Sequence, residues 1–389
     1  MKAVLTTLGK FHSFDLARQL HARGALEAIY SGYPRFKLGD EKLPDDAIRT
    51  FPYVHAPYMA SGWRNRIGTR LLWEWEYWDR VTLDRHVAHR LRDADVFVGL
   101  SGCGLATGFR ARERGIAYVC DRGSTHIRHQ DEVMRAEYAR WDVPFAGVDP
   151  RIIEREENEY ALADAITVPS SHVRATFIER GVDPARVHVL PYGVDLTRFM
   201  PMNLPRPGRI DLLFVGGVNL RKGLPYLLAA FKALDHPAKS LTIAGIAEEA
   251  VLARMRERGL LGDDVTLLGH VPQPQLKELM SCSHALVLPS LEEGLALVMA
   301  QALACGCPVI ATPQTGAADL FDDGVEGLIV APGDAAALLD AMQRFIDEPG
   351  MRVRMSAAAL DRVKQLGGWS RYGENAVALY DAVVRQRRH

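Results

Sequence analysis

Short β-branched apolar runs alternate with longer stretches of helical period from one end of the chain to the other. Runs at 3–6, 25–30, 96–100, 117–121, 165–169 and 187–191 read as strands of a first half. Runs at 211–215, 240–244, 265–268, 285–288, 308–311 and 327–330 read as strands of a second half. Helical stretches such as 225–233, 250–259 and 295–304 lie between them. Strands that are apolar almost throughout, each followed by a helix, mean parallel sheets covered on both faces. The pattern runs twice, so the fold class expected is α/β, with two doubly wound Rossmann-like domains facing a central cleft.

The break falls around residues 197–209, where MPMNLPRPG places three prolines and a glycine in nine residues just before a fresh strand. The expected units are therefore 1–198, 199–368 and a terminal amphipathic helix over 369–389. A length of 389 residues suits two cores better than one. With 48% apolar and 24% charged residues the composition is that of a soluble globular protein. A formal net charge of −1 lacks the basic excess of a nucleic-acid binder. No run approaches the roughly 20 apolar residues of a membrane-spanning helix, and the start MKAVLTTLGKFHSF reads as a first strand rather than a signal peptide. The five cysteines form no disulfide or zinc pattern and are expected to be buried free thiols of a reducing cytoplasm.

Two segments carry candidate chemistry. In LPSLEEGLALVMAQALACGCPVIAT (288–312) a buried strand ends at Pro289-Ser290, a turn holds Glu292, Glu293 and Gly294, and a helix begins. Free amides at that helix start suit a phosphate, and glycine lets a ligand approach the backbone. A carboxylate there repels phosphate, so Glu293 fits hydrogen bonds from sugar hydroxyls. Gln301, eight positions on, lies about 12 Å further along a helix axis, a spacing for two parts of one extended ligand. In FVGGVNLRKGLPYLLAAF (214–231) a strand, a glycine-rich turn with Arg221 and Lys222, and a helix with Pro225 near its start follow one another. Two cations beside a helix start would neutralise a diphosphate and stabilise it as a leaving group.

These residues resemble the signature of the retaining GT-B glycosyltransferases of family 4 (glycosyl transferases group 1). Ser290, Glu293, Gly294, Leu297 and Pro308-Val309 match its pattern, and Lys222-Gly223 match its phosphate-binding lysine. Pro191-Tyr192-Gly193-Val194-Asp195 with Phe199, and Asp319, Asp323-Gly324 and Gly327, also match, so the resemblance is strong over 165–330. The chain departs from it at Gln301 for a second acidic residue, at Gly217 for an arginine whose charge Arg221 would replace, and at Ala296 for a glycine. The resemblance implies Glu293 on the donor sugar and Arg221 and Lys222 on its diphosphate. Backbone of Leu295, Ala296 and Leu297, with Gly217 and Gly294, would complete the phosphate site. Gln301 would take the ribose and Val271 would lie near the base. It further implies transfer from a nucleoside-diphosphate sugar to a glycan, lipid-linked or small-molecule acceptor with retention of configuration. No cofactor and no essential metal are implied, and the terminal helix should fold back onto the first domain.

In the first half, Gly9, Lys10 and His12 follow the first strand, where the family places its phosphate and acceptor loop. YVCDRGSTHIRHQ (118–130) ends a strand and brings Arg122, His126 and His129 toward the cleft, with His126 expected near the transferring sugar. WRNRIGTRLLWEWEYW (63–78) holds four of the six tryptophans behind Arg64, Arg66 and Arg70. It reads either as core packing or as a peripheral contact with the cytoplasmic face of a membrane. Asp93-Ala94-Asp95 imitates a metal-binding motif but precedes a strand and reads as a solvated turn. Two rival readings stand beside the transferase. The 102–108 glycine turn nearly matches GxGxxG, with Asp121 at ribose distance, as in an NAD-linked oxidoreductase. Gln301 and Gly217 leave room for a non-catalytic sugar-nucleotide-binding partner subunit.

Overall fold

The structure is a computed structural model that describes residues 1–60, 68–195 and 198–388. Among the described residues thirteen strands form two sheets. The first contains β1 (Ala3–Thr7), β2 (Leu26–Ser31), β3 (Ile48–Thr50), β4 (Val96–Leu100), β5 (Ala117–Asp121), β6 (Ala165–Val168) and β7 (Val187–Val189). The second contains β8 (Ile210–Val215), β9 (Lys239–Ala244), β10 (Val265–Gly269), β11 (Ala285–Leu288), β12 (Val309–Ala311) and β13 (Gly327–Ile329). Their orders are 3-2-1-4-5-6-7 and 10-9-8-11-12-13, and every pairing is parallel. The chain reverses its winding between β1 and β4, and again between β8 and β11. Open sheets bind ligands outside the carboxyl ends of strands at such a reversal. The two-sheet α/β architecture matches the sequence pattern. The short edge strand β3 escaped it because three residues carry no readable period.

The central strands are apolar because helices cover both faces. Leu213, Phe214, Leu286, Val287 and Ile310 are fully buried in the second core. The terminal helix Trp369–Arg388 lies on the helix His12–Ala22, and its Tyr372, Ala376 and Tyr380 belong to the core of the first sheet. The helix Ile127–Arg140 starts in the first half, yet its Tyr138 is buried in the second core and donates to Glu248 at 2.6 Å. The halves are therefore joined by side-chain packing as well as by the chain.

Among the described residues no helix is long and apolar enough to cross a membrane. Trp63, Arg64 and Arg66 lie outside the described residues. Within the helix Thr69–Arg90, Leu71 is 64% exposed and Trp78 45%. The core reading therefore fails for these two, whose side chains meet solvent. Asp93 pairs with Arg114, and Asp95 accepts from the Lys2 amide at 2.7 Å, so this acidic pair serves the turn before β4.

Candidate functional site

The turn after β8 owes its shape to local chemistry. The Asn219 side chain accepts from the Lys222 amide at 3.1 Å, which winds 220–222 into a single tight turn. Gly223 follows with φ of 68°, and a Cβ there would stand 2.0 Å from the Pro289 carbonyl oxygen. Only glycine lets this turn press against the end of β11. The Leu291 amide donates to the Arg221 carbonyl at 2.8 Å, tying the two loops together. Arg221 and Lys222 are thereby brought to Glu292 and Glu293. Arg221 donates to Glu292 at 3.1 Å and stands 3.6 Å from Glu293, while the Lys222 ammonium contacts Glu293 directly. Burial, and then Arg221, push the Lys222 ammonium down to about 7, with Glu292 opposing. The Glu293 carboxylate in contact with it works upward as well.

Glu292 is the functional residue that sequence reasoning missed. It is fully buried at the seam between the halves. The hydroxyls of Ser124 and Thr125 donate to it at 2.5 and 2.7 Å, the Thr125 amide at 3.2 Å and the Gln130 amide at 3.3 Å. Burial alone would raise its carboxyl, but Arg221 and these hydroxyls hold it below its ordinary value. Next to it, a Cβ on Gly294 would meet the Gly123 carbonyl at 1.9 Å, and Ser170 donates to the Gly294 carbonyl at 2.7 Å. Two adjacent glutamates on one tight turn point different ways: Glu293 lines the cavity and Glu292 locks the seam. That doubling was the available signal.

Between the sheets lies a cavity of about 1000 Å³. From the second half Arg221, Glu293, Leu295 and Leu297 line it; from the first come Gly9, Lys10, His12 and Arg122. A smaller cavity of about 570 Å³ shares Leu297 and contains Gln301 and Gln273. An extended ligand could thus run from the Arg221–Lys222 turn past Leu297 to Gln301. Val271 is buried and lines neither cavity, and Gln273 is the residue of that loop which reaches one. Gly217 lines neither cavity, and Ala296 is buried with its amide bound to the Thr315 carbonyl at 3.0 Å.

The polar loop after β5 divides its residues. Arg122 is held by Glu156 at 2.7 Å, Gln130 at 2.7 Å and the Thr125 carbonyl at 3.0 Å, so it shapes the loop that grips Glu292. His126 is not brought to the cavity. It caps the helix Ile127–Arg140, accepts from the Arg128 amide at 3.3 Å and packs on Tyr160 and Phe177. Burial drives it down to about 4, which keeps the ring neutral. His129 stands near His172 and lines neither cavity. Two other histidines line the large cavity: His12, whose Nε2 meets Asp121 at 2.6 Å, and His55, whose Nδ1 meets Asp79 at 2.7 Å. Asp121 is therefore engaged within the protein and is not a free ribose ligand.

The 102–108 turn after β4 is occupied from inside. Glu159 accepts from the amides of Gly102 at 2.6 Å and Gly104 at 2.9 Å. Asp84 accepts from the amides of Ala106 at 2.7 Å and Thr107 at 2.9 Å. Arg155 contacts Asp84. The donors that would cradle a dinucleotide pyrophosphate are spent on the protein's own carboxyl groups. A Cβ at Gly104 or Gly108 would strike Tyr118 at 2.5 or 2.7 Å, so both glycines make room for a buried ring.

The chain matches the family described as Glycosyltransferase Family 4 over residues 11–198 and that described as Glycosyl transferases group 1 over residues 198–362. It is 32% identical over 258 residues to a D-inositol 3-phosphate glycosyltransferase of Pseudarthrobacter chlorophenolicus, a stretch covering 61% of each chain. With the protein of that name from Frankia alni the identity is 30% over 306 residues, covering 68% of this chain and 73% of the other. Anabaena Alr3699/HepE, solved in complex with UDP and glucose, superposes with a TM-score of 0.70 at 14% identity, covering 98% of this chain and 100% of that one. Family matches that meet at residue 198, relatives aligned across both halves and a shared two-sheet fold agree: the chain belongs to the group 1 glycosyltransferases of family 4.

Proposed function

We propose that the protein transfers a sugar from a nucleoside-diphosphate sugar to a glycan, lipid-linked or small-molecule acceptor, with retention at the anomeric carbon and without a metal. The observation that carries this reading is the Arg221–Lys222 turn, tied to the Glu292–Glu293 loop on the wall of the interdomain cavity. Two cations at one point of a cleft suit a leaving group that gains negative charge as the glycosidic bond breaks. They are paired with carboxylates of the neighbouring loop, so the diphosphate takes the place of those partners. Glu293, released from Lys222, accepts hydrogen bonds from the sugar. The amides of Leu297 and Val298 at the start of the helix Leu297–Ala304 add partial positive charge. Gln301 and Gln273 receive the nucleoside end, and the side lined by Gly9, Lys10 and His12 receives the acceptor. Retention follows the family resemblance, and the anomeric coupling in the product's proton NMR spectrum reads it. We place the protein in the cytoplasm, with Arg70, Leu71 and Trp78 as a peripheral membrane contact.

The test is thermal stabilisation by UDP-, GDP- and ADP-sugars and by NAD, since a ligand that binds only the native state raises the melting temperature. UDP comes first because HepE, a similar structure, holds it. A shift with one nucleotide sugar, lost in Lys222→Ala, supports the reading. A shift with NAD alone sinks it.

A further inference from the structure

The outer edge of the first sheet holds a hollow of about 460 Å³ that shares no lining residue with the interdomain cavities. Arginines reach it from three places in the chain: Arg49 from the edge strand β3, Arg90 from the end of the helix Thr69–Arg90, and Arg92 from the turn before β4. Arg49 is the register partner of Tyr30 in β2, so both side chains leave the sheet on one face. The Tyr30 hydroxyl donates to the Arg90 carbonyl at 2.7 Å, which draws the helix end to that face. Burial raises this hydroxyl, while Arg92, Arg49 and Arg90 all act to lower it and Glu27 opposes them. The three guanidinium groups therefore converge on one buried phenol.

Among the described residues no carboxylate lines this hollow. Arg92 pairs with Glu27 at 2.9 Å from outside it, and Arg49 and Arg90 form no ion pair. A helix C-terminus favours a cation such as Arg90, and an edge strand is protected by a charge such as Arg49. Neither reason brings both into one hollow with Arg92, where like charges repel. Beside them Phe51 packs on His86 with centroids 4.4 Å apart, and Tyr53, 75% exposed, stands edge-on to Phe51 at 5.2 Å. Burial, and then Arg90 and His89, lower His86, so its ring stays neutral and adds to the aromatic wall. Cations without counter-charges thus face a concavity that also offers ring surface.

We propose that this hollow is a second binding site, for a phosphomonoester carried on a sugar ring. Arg49 and Arg90 present their guanidinium forks to the phosphate oxygens, and Arg92 adds a third positive charge. The phosphate brings about two negative charges and removes the repulsion among the three. The sugar ring lies against Tyr53 and Phe51. A volume of about 460 Å³ is in the range of small-ligand pockets. The chemistry is the same for a free sugar phosphate and for the headgroup of a lipid. The site stands apart from the donor and acceptor cleft and does not depend on the glycosyltransferase reading.

The test uses the full chain, with glucose 6-phosphate and inorganic phosphate as probes in titration calorimetry and thermal unfolding. Glucose 6-phosphate is expected to bind and to raise the melting temperature. Arg49→Ala and Arg90→Ala should each weaken it by about 10–100-fold. Without ligand both variants should melt no lower than the wild type, since each removes a like charge and breaks no ion pair. Should either not fold, Arg49→Gln or Arg90→Gln is read for the same loss. Tyr53→Ala should weaken glucose 6-phosphate and leave inorganic phosphate unchanged. A wild type that does not bind glucose 6-phosphate overturns the proposal, and so does equal affinity in the wild type and the arginine variants. Unchanged affinity for glucose 6-phosphate in Tyr53→Ala overturns the assignment of the sugar ring. Flotation with phosphatidylcholine vesicles containing phosphatidylinositol 4-phosphate separates the two sources of the group. Flotation lost in the arginine variants assigns a lipid headgroup; flotation that is absent, or unaffected by them, assigns a free sugar phosphate.

Discussion

The turn after β4 and the turn after β8 look alike on paper: an apolar strand, clustered glycines, then a helix. In space they are opposites. The first has its amides filled by Glu159 and Asp84, which arrive from other helices. The second carries Arg221 and Lys222 and opens on the cavity wall, where carboxylates of the neighbouring loop hold its cations. A glycine turn whose donors meet an internal acid is a structural joint. One whose cations meet side chains that can be displaced is a place for an anionic ligand. The motif is the same, and the difference lies in which partner another part of the chain delivers.

The comparison can be broken most sharply at the closed turn. Glu159→Ala leaves the buried amides of Gly102 and Gly104 without their acceptor and should destabilise the protein by about 1–3 kcal/mol for each in urea unfolding. It should gain no affinity for NAD; a stable variant that bound NAD would make this turn a blocked ligand site. At the open turn the effect falls on turnover. Lys222→Ala should lower kcat/KM by about 10²–10³-fold, equivalent to about 2.7–4 kcal/mol of transition-state stabilisation. Its melting temperature without ligand should stay near that of the wild type. Glu292→Gln keeps the shape of the seam but loses the charge facing Arg221, and should cost about 1–3 kcal/mol of stability. A small-angle scattering profile that expands in this variant would show that Glu292 holds the halves together.

The smallest effect is on pH. Burial and Arg221 disfavour the charge of Lys222 and bring its ammonium down to about 7. Its protonated form is the one that meets the diphosphate. Donor affinity should therefore be full below that pH and fall as pH rises through it, by no more than about tenfold per unit. Lys222→Arg should flatten the profile, since a guanidinium stays charged. Titration calorimetry across the range distinguishes the two.

The legible part of the molecule was its local part. Twelve of the thirteen strands followed from apolar runs, and the Arg221–Lys222 turn from glycines and cations within a few residues of a strand end. His126 was misplaced because a histidine just after a strand is equally suited to the cleft and to capping a helix. Tyr160 and Phe177, 34 and 51 positions downstream by residue number, draw it inward. Val271 and Gln273 are two residues apart, and only the turn into the helix Gln273–Cys282 decides which of them reaches the smaller cavity.

The sequence by itself determined the two parallel sheets and the strand ends that carry chemistry, because apolar period, glycine freedom and charge beside a helix start act within one strand–turn–helix unit. Tertiary structure alone decided the pairings. Gly102 meets Glu159 across 57 residues, His12 meets Asp121 across 109, and Ser124 meets Glu292 across 168. A buried polar group must find a partner or bear a desolvation cost, and which partner it finds is set by sheet order and by how the two halves close.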